Sequence, residues 1–151
     1  MQTGSRGFTL IELLLVVAIL FILAAIVIVA LNTPQQLSSL RDMQRKEDVN
    51  MIISAVTNYM VATNGKLPGN IPNDTPKEIC RWNVAPADCE AEGGVNLRTL
   101  SGTYLEELPM DPQAPKTGTG TYYTIVRGRD RRLTVSAWNS ELSETPISET
   151  R

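Results

Sequence analysis

Every position from Phe8 to Leu31 is apolar except Thr9 and Glu12, in the run FTLIELLLVVAILFILAAIVIVAL. At about 1.5 Å per residue this run makes a helix of roughly 36 Å, longer than a hydrocarbon core of about 30 Å. It can therefore cross a membrane. Beyond Asn32-Thr33-Pro34 the pattern turns amphipathic: Leu37, Leu40, Ile52, Ile53, Val56, Tyr59 and Met60 keep a period near 3.6 residues, against Arg41, Asp42, Arg45, Lys46, Glu47 and Asp48. One face is expected to pack. The charge run is expected to be a solvated face, with ion pairs to neighbouring molecules as the alternative. Pro34 lacks a backbone donor, so it should kink the helix or start a new one. Asn64 and Gly65 suit a C-cap, and Pro68 follows, so the helix should end near residues 63–65.

The remainder alternates between turn chemistry and short apolar pieces. Residues 66–95 are rich in Pro, Gly, Asn and Asp and predict a long structured loop. Leu97, Leu100, Leu105 and Leu108 predict a short helix or turn held by its leucines, closed by Leu108-Pro109-Met110-Asp111-Pro112. A hairpin follows, with strands at 122–126 and 133–138 around the turn 127–132. In the second strand Leu133, Val135 and Ala137 share one face, which should cover the amphipathic helix. The tail from Asn139 to Arg151 is rich in Ser, Thr and Glu and is expected to be mobile.

Composition sharpens this picture in two places. The formal charge of −2, from 14 basic and 16 acidic residues, disfavours nucleic-acid binding by the whole surface, so any such contact has to be local. The chain also has no histidine, which removes Ser-His and Cys-His nucleophile pairs, histidine bases and the commonest zinc sites. There is no GxSxG or P-loop, and Gly118-Thr119-Gly120 lacks the lysine and helix of a phosphate cradle. A membrane-anchored enzyme has no motif behind it, and no cofactor is required.

Glu12 carries the chemical question of the N-terminal segment. An unpaired carboxylate at the bilayer centre costs about 2.5 to 3.5 kcal/mol on insertion scales, so it must reach headgroup water or find a cation. A cleavable secretory signal is the plain alternative, with Arg6 as a thin positive region and Ile28-Val29-Ala30 as a small-residue site. Against it, an h-region is usually about 7 to 15 residues, and Glu12 would sit inside it.

Gly7-Phe8-Thr9-Leu10-Ile11-Glu12-Leu13-Leu14, after a leader containing Arg6 and before the apolar run, resembles the processing site of type IV prepilins and type II secretion pseudopilins. The resemblance implies an α+β fold, with a long helix, membrane-spanning then amphipathic, packed on a small antiparallel sheet. It implies cleavage after Gly7 by a membrane prepilin peptidase and methylation of the new N-terminus at Phe8. It also implies that Glu12 neutralises the Phe8 amine of a neighbouring subunit during assembly. The expected organisation is a leader at 1–7, a membrane or fibre-core helix at 8–31, an amphipathic half at 32–64 and a head at 65–151. Many members carry a helix breaker within the apolar half; this chain has none there. The positive-inside count does not favour an inward N-terminus, because Arg41, Arg45 and Lys46 follow the span. The resemblance outweighs that count and places the N-terminus in the cytoplasm and the head outside, with an extracellular fibre after assembly.

Cys80 and Cys89 then lie in an oxidising compartment and are expected to form a disulfide across the loop, for about 2 to 3 kcal/mol. A metal site is disfavoured by the lack of a second pair. The LPMDP stretch is similar to the loop before the sheet in pilins and in major pseudopilins, some of which hold calcium nearby. Asp111 is thus a turn residue or a calcium ligand. The partners implied are other copies of the chain, other pilins, the peptidase and the assembly platform in the membrane. The functions left open are a type IV pilus subunit, a type II secretion pseudopilin, and a minor pilin that contacts DNA. The last rests on Arg127, Arg129, Arg131 and Arg132, flanked by Tyr122, Tyr123 and Trp138; the alternative is a charged hairpin turn diluted by Asp130. Asn73-Asp74-Thr75 also matches a glycosylation sequon.

Overall fold

The computed structural model of the chain describes residues 7–30 and 33–151, in two units, Met1–Gln36 and Leu37–Arg151. Arg6 and the rest of the expected leader before Gly7, together with Leu31 and Asn32, lie outside the described residues.

Helix α1 runs from Leu10 to Ala30. Thr9 starts it: the Thr9 hydroxyl accepts the Glu12 N–H at 3.3 Å, and the Thr9 carbonyl accepts the Leu13 N–H at 3.2 Å. This is an N-cap with glutamate at the third helical position, where a carboxylate also meets the positive end of the helix dipole. Val17 is the most shielded of its large apolar residues, yet even there 41 % of the surface is exposed. A helix apolar on all sides suits lipid or a bundle of like helices.

Helix α2 spans Thr33–Ala62, with Pro34 in its first turn, where a missing N–H costs nothing. It closes as expected. Asn64 and Gly65 take positive φ angles of 56° and 84°, and the Gly65 N–H donates to the Met60 carbonyl at 2.7 Å.

Strands β1 (Lys77–Cys80), β2 (Gly120–Arg127), β3 (Leu133–Ala137) and β4 (Ile147–Thr150) form one antiparallel sheet in the order β1-β2-β3-β4. The expected hairpin is β2–β3, with Tyr123 opposite Ala137 and Arg127 opposite Leu133. Its inward residues Tyr123, Ile125, Leu133, Val135 and Ala137 form one buried cluster with Val49, Ile52, Ile53 and Val56 of α2. The architecture is α+β.

Two expectations need correction. The tail is no mobile appendage: β4 pairs with β3, and the Thr134 and Thr150 hydroxyls lie 2.8 Å apart. Its sequence hid this because Ile147 is the only apolar residue in the strand. The 66–95 segment contains β1 and a short helix α3 (Pro86–Ala91) rather than loop alone. The leucine stretch is, as expected, a short turn packed by its leucines: a single 3-10 turn, Arg98–Leu100, with all four leucines buried.

Candidate functional site

The N-terminal residues are laid out for access. Gly7 and Phe8 precede α1 outside any helix or strand, Phe8 is 78 % exposed, and nothing stands within 4 Å of where a Gly7 side chain would begin. Glu12 is exposed in the first turn and forms no ion pair among the described residues. Its backbone N–H is committed to Thr9, so only the carboxylate remains free to meet a cation from outside the chain.

In the head, the cysteines are joined: Cys80 and Cys89 form a disulfide with Cα atoms 5.9 Å apart. It ties the end of β1 to α3. Gly94 passes close behind, and a Cβ there would collide with the Cys80 sulfur. Next to the bridge, the Arg81 guanidinium donates to three backbone carbonyls, those of Gly120 at 2.8 Å, Lys116 at 3.0 Å and Pro115. That clamp shapes the 111–119 loop from below.

The strongest electrostatic feature was not legible as such in the sequence. Arg45, read as part of a solvated face, is fully buried. All five of its N–H groups are used. Nε donates to Asp111 Oδ2 at 2.7 Å, and Nη2 donates to Asp111 Oδ1 at 3.1 Å and to Gln113 Oε1 at 2.9 Å. Nη1 donates to Asp42 Oδ1 at 2.7 Å and to Glu141 Oε1 at 3.0 Å. Arg41 grips Glu141 through two further bonds of 2.6 Å, and Asp42 accepts the backbone N–H groups of Glu141 and Leu142. Two arginines and three carboxylates thus bind α2, the loop before β2 and the tail into one network.

The charges respond accordingly. The bond to Asp111 raises the Arg45 guanidinium further above its ordinary value, against the pull of burial. The Arg41 bond holds the Glu141 carboxyl down to about 2. Burial pushes Asp42 up, yet the donors from Arg45, Glu141 and Leu142 outweigh it and keep it below the usual carboxylate range. Asp48 goes the other way: burial raises it, although the Tyr123 hydroxyl donates to it at 2.6 Å. Asp111 is consequently more than a turn residue. Both its oxygens are taken by Arg45, and Oδ1 also accepts the Gln113 N–H at 2.8 Å.

The arginine turn is real but is not the composite surface its sequence suggested. Arg127, Arg129 and Arg131 line a cleft of about 320 Å³ with Asn73, Asp74 and Gly128; Arg132 is outside its lining. Arg129 pairs with Asp74 at 3.5 Å, and both are exposed. The aromatic residues lie elsewhere: Tyr123 is in the core, and Tyr122 and Trp138 stand at the opposite end of the hairpin.

Comparison with known proteins bears on the N-terminal segment alone. The family model of the prokaryotic N-terminal methylation motif matches residues 3–28. No curated protein and no solved structure matches the chain. The motif family is structural rather than enzymatic, and the match supports a type IV pilin-like precursor.

Proposed function

We propose that this pilin-like precursor is the structural subunit of a type IV pilus, cleaved after Gly7, methylated at Phe8 and polymerised through its N-terminal helix. The methylation motif at residues 3–28 carries the reading, because it spans the exposed Gly7-Phe8 segment and most of a helix that is apolar but for Glu12. Cleavage creates an amine at Phe8 that stays cationic after methylation. In a bundle of helices that amine and Glu12 are each penalised alone and attract strongly together. Apolar area distinguishes poorly between lipid and a helix bundle, so this pairing, with side-chain packing, sets the register of assembly.

Before assembly α1 anchors the chain in the membrane, with the head on the outer side; afterwards the subunit is part of an extracellular fibre. The peptidase and the membrane assembly platform act on it in that order. A pilus is favoured over a calcium-holding pseudopilin because the Asp111 carboxylate is already spent on Arg45. Mass spectrometry of the mature protein should find methylated Phe8 at the N-terminus. A retained Met1, or a start after Ala30, would overturn the reading.

A further inference from the structure

The β2–β3 hairpin carries unlike chemistry at its two ends. At the turn, residues 127–132 hold four arginines and one aspartate. Arg129 is 90 % exposed and is held only by the long contact to Asp74. The Asp130 carboxylate accepts the Arg132 backbone N–H at 3.1 Å and, among the described residues, forms no ion pair with the arginines, so their guanidinium groups stay available.

Five residue positions along each strand, about 17 Å away, the outward face of the sheet bears Tyr122 and Trp138. With Glu78, Thr124 and Asn139 they line a shallow cleft of about 260 Å³. The Trp138 indole N–H donates to the Thr124 hydroxyl at 2.9 Å, which fixes the ring by one edge while most of the residue stays exposed. The Tyr122 N–H donates to Glu78 Oε1 at 2.8 Å, which draws the carboxylate beside the aromatic pair. Two aromatic rings and a carboxylate around one cleft suit a cation, and a guanidinium above all, because it can stack on a ring while its N–H groups meet the carboxylate.

The turn and the cleft are complementary, yet a hairpin cannot fold its own end back onto the other. They can meet only between molecules. A contact joining two different patches of one protein is head-to-tail, and such contacts generate open helical filaments when the rotation does not close. We propose that the arginine turn of one subunit, Arg129 foremost, docks in the Tyr122, Trp138 and Glu78 cleft of the next, and that this contact repeats along the fibre. The proposal rests on the polymer reading above and adds to it the pair of head surfaces that meet.

Cysteine crosslinking in assembled fibres tests it, since both native cysteines are in the disulfide and contribute no free thiol. The full-length chain would carry Asp130→Cys and Asn139→Cys together, which leaves all four turn arginines in place, and fibres would be sheared, mildly oxidised and run on a non-reducing gel. A ladder of dimer, trimer and higher species is expected from the double variant. Co-expression of the two single variants should give dimers only, and each single variant alone should stay monomeric on the gel. Adding Trp138→Ala to the double variant should reduce the crosslinked fraction about fivefold. Fibres that form normally but give no crosslinks, or single variants that dimerise as well as the mixture, would overturn this contact and leave the fibre reading intact. Absence of any polymer from the unaltered chain, with Met1 retained, would overturn both.

Discussion

Replacing Arg45 with Met removes five hydrogen bonds and leaves the three carboxylates unequally affected. Glu141 retains both Arg41 bonds and the Ser38 hydroxyl, and Asp42 retains the backbone N–H groups of Glu141 and Leu142. Asp111 is the loser: it is 3 % exposed, and its remaining donor to that carboxylate is the Gln113 N–H. Breaking one side of a buried ion pair costs about 3 to 5 kcal/mol, because the other charge stays behind unpaired. For the 115 residues of Leu37–Arg151, at about 4 °C per kcal/mol, that corresponds to a fall in Tm of about 12 to 20 °C. Thermal unfolding of the detergent-solubilised chain, followed by near-UV circular dichroism of the head aromatics, measures it. Adding Asp111→Leu to Arg45→Met removes the stranded charge and should recover most of the loss. A fall below about 4 °C for the single variant, or a double variant no better than the single, would refute the account of Arg45 as the electrostatic keystone of the head.

Other consequences can be checked in the same way. Cys89→Ser opens the Cys80 bridge and should lower stability by about 2 to 3 kcal/mol; Gly94→Ala, which drives a methyl group into the same bridge, should also destabilise, and equality with the parent in both would contradict the packing there. Acid should act with two signs: Glu141 and Asp42 are held below their ordinary values, so their stabilisation is complete above the ordinary carboxylate range and is lost as pH falls through those lowered values. Asp48 is raised, so its protonation favours the folded state and its contribution grows as pH falls from neutral towards about 4. Asp48→Asn, which mimics the protonated form, should flatten the Tm profile between those limits, and an unchanged slope would count against a buried, charged Asp48. Glu12→Val should leave insertion and cleavage intact while abolishing fibres; normal fibre yield after shearing would remove the pairing role of Glu12.

The N-terminal helix was legible because its signal is local: the apolar run and the prepilin-like motif GFTLIE lie within one stretch. The strands β2 and β3 were legible for the same reason, as Leu133, Val135 and Ala137 alternate cleanly. Arg45 was not, because it sits in a charge run and its partners Asp111 and Glu141 are 66 and 96 residues away. A signal was nonetheless present. Stepping back one turn from the buried Val49, or two turns from the buried Ile52, reaches Arg45, so the arginine lies on the packing face and not opposite it. Asp111 and the tail needed that observation first, since a lone aspartate between prolines and a Ser/Thr-rich strand carry no period of their own.

Arg81 has a bearing on how freely this protein can vary. Its guanidinium holds the 111–119 loop by carbonyls, groups that every amino acid supplies, so much of the loop keeps its path whatever side chains it displays. Lys116, Thr117 and Gly118 are exposed at its crest. Natural selection, or an engineer inserting a peptide epitope, can rewrite the outward chemistry of that crest while Arg81 and the neighbouring disulfide preserve its shape, which is the property a surface protein needs when its appearance must change faster than its fold.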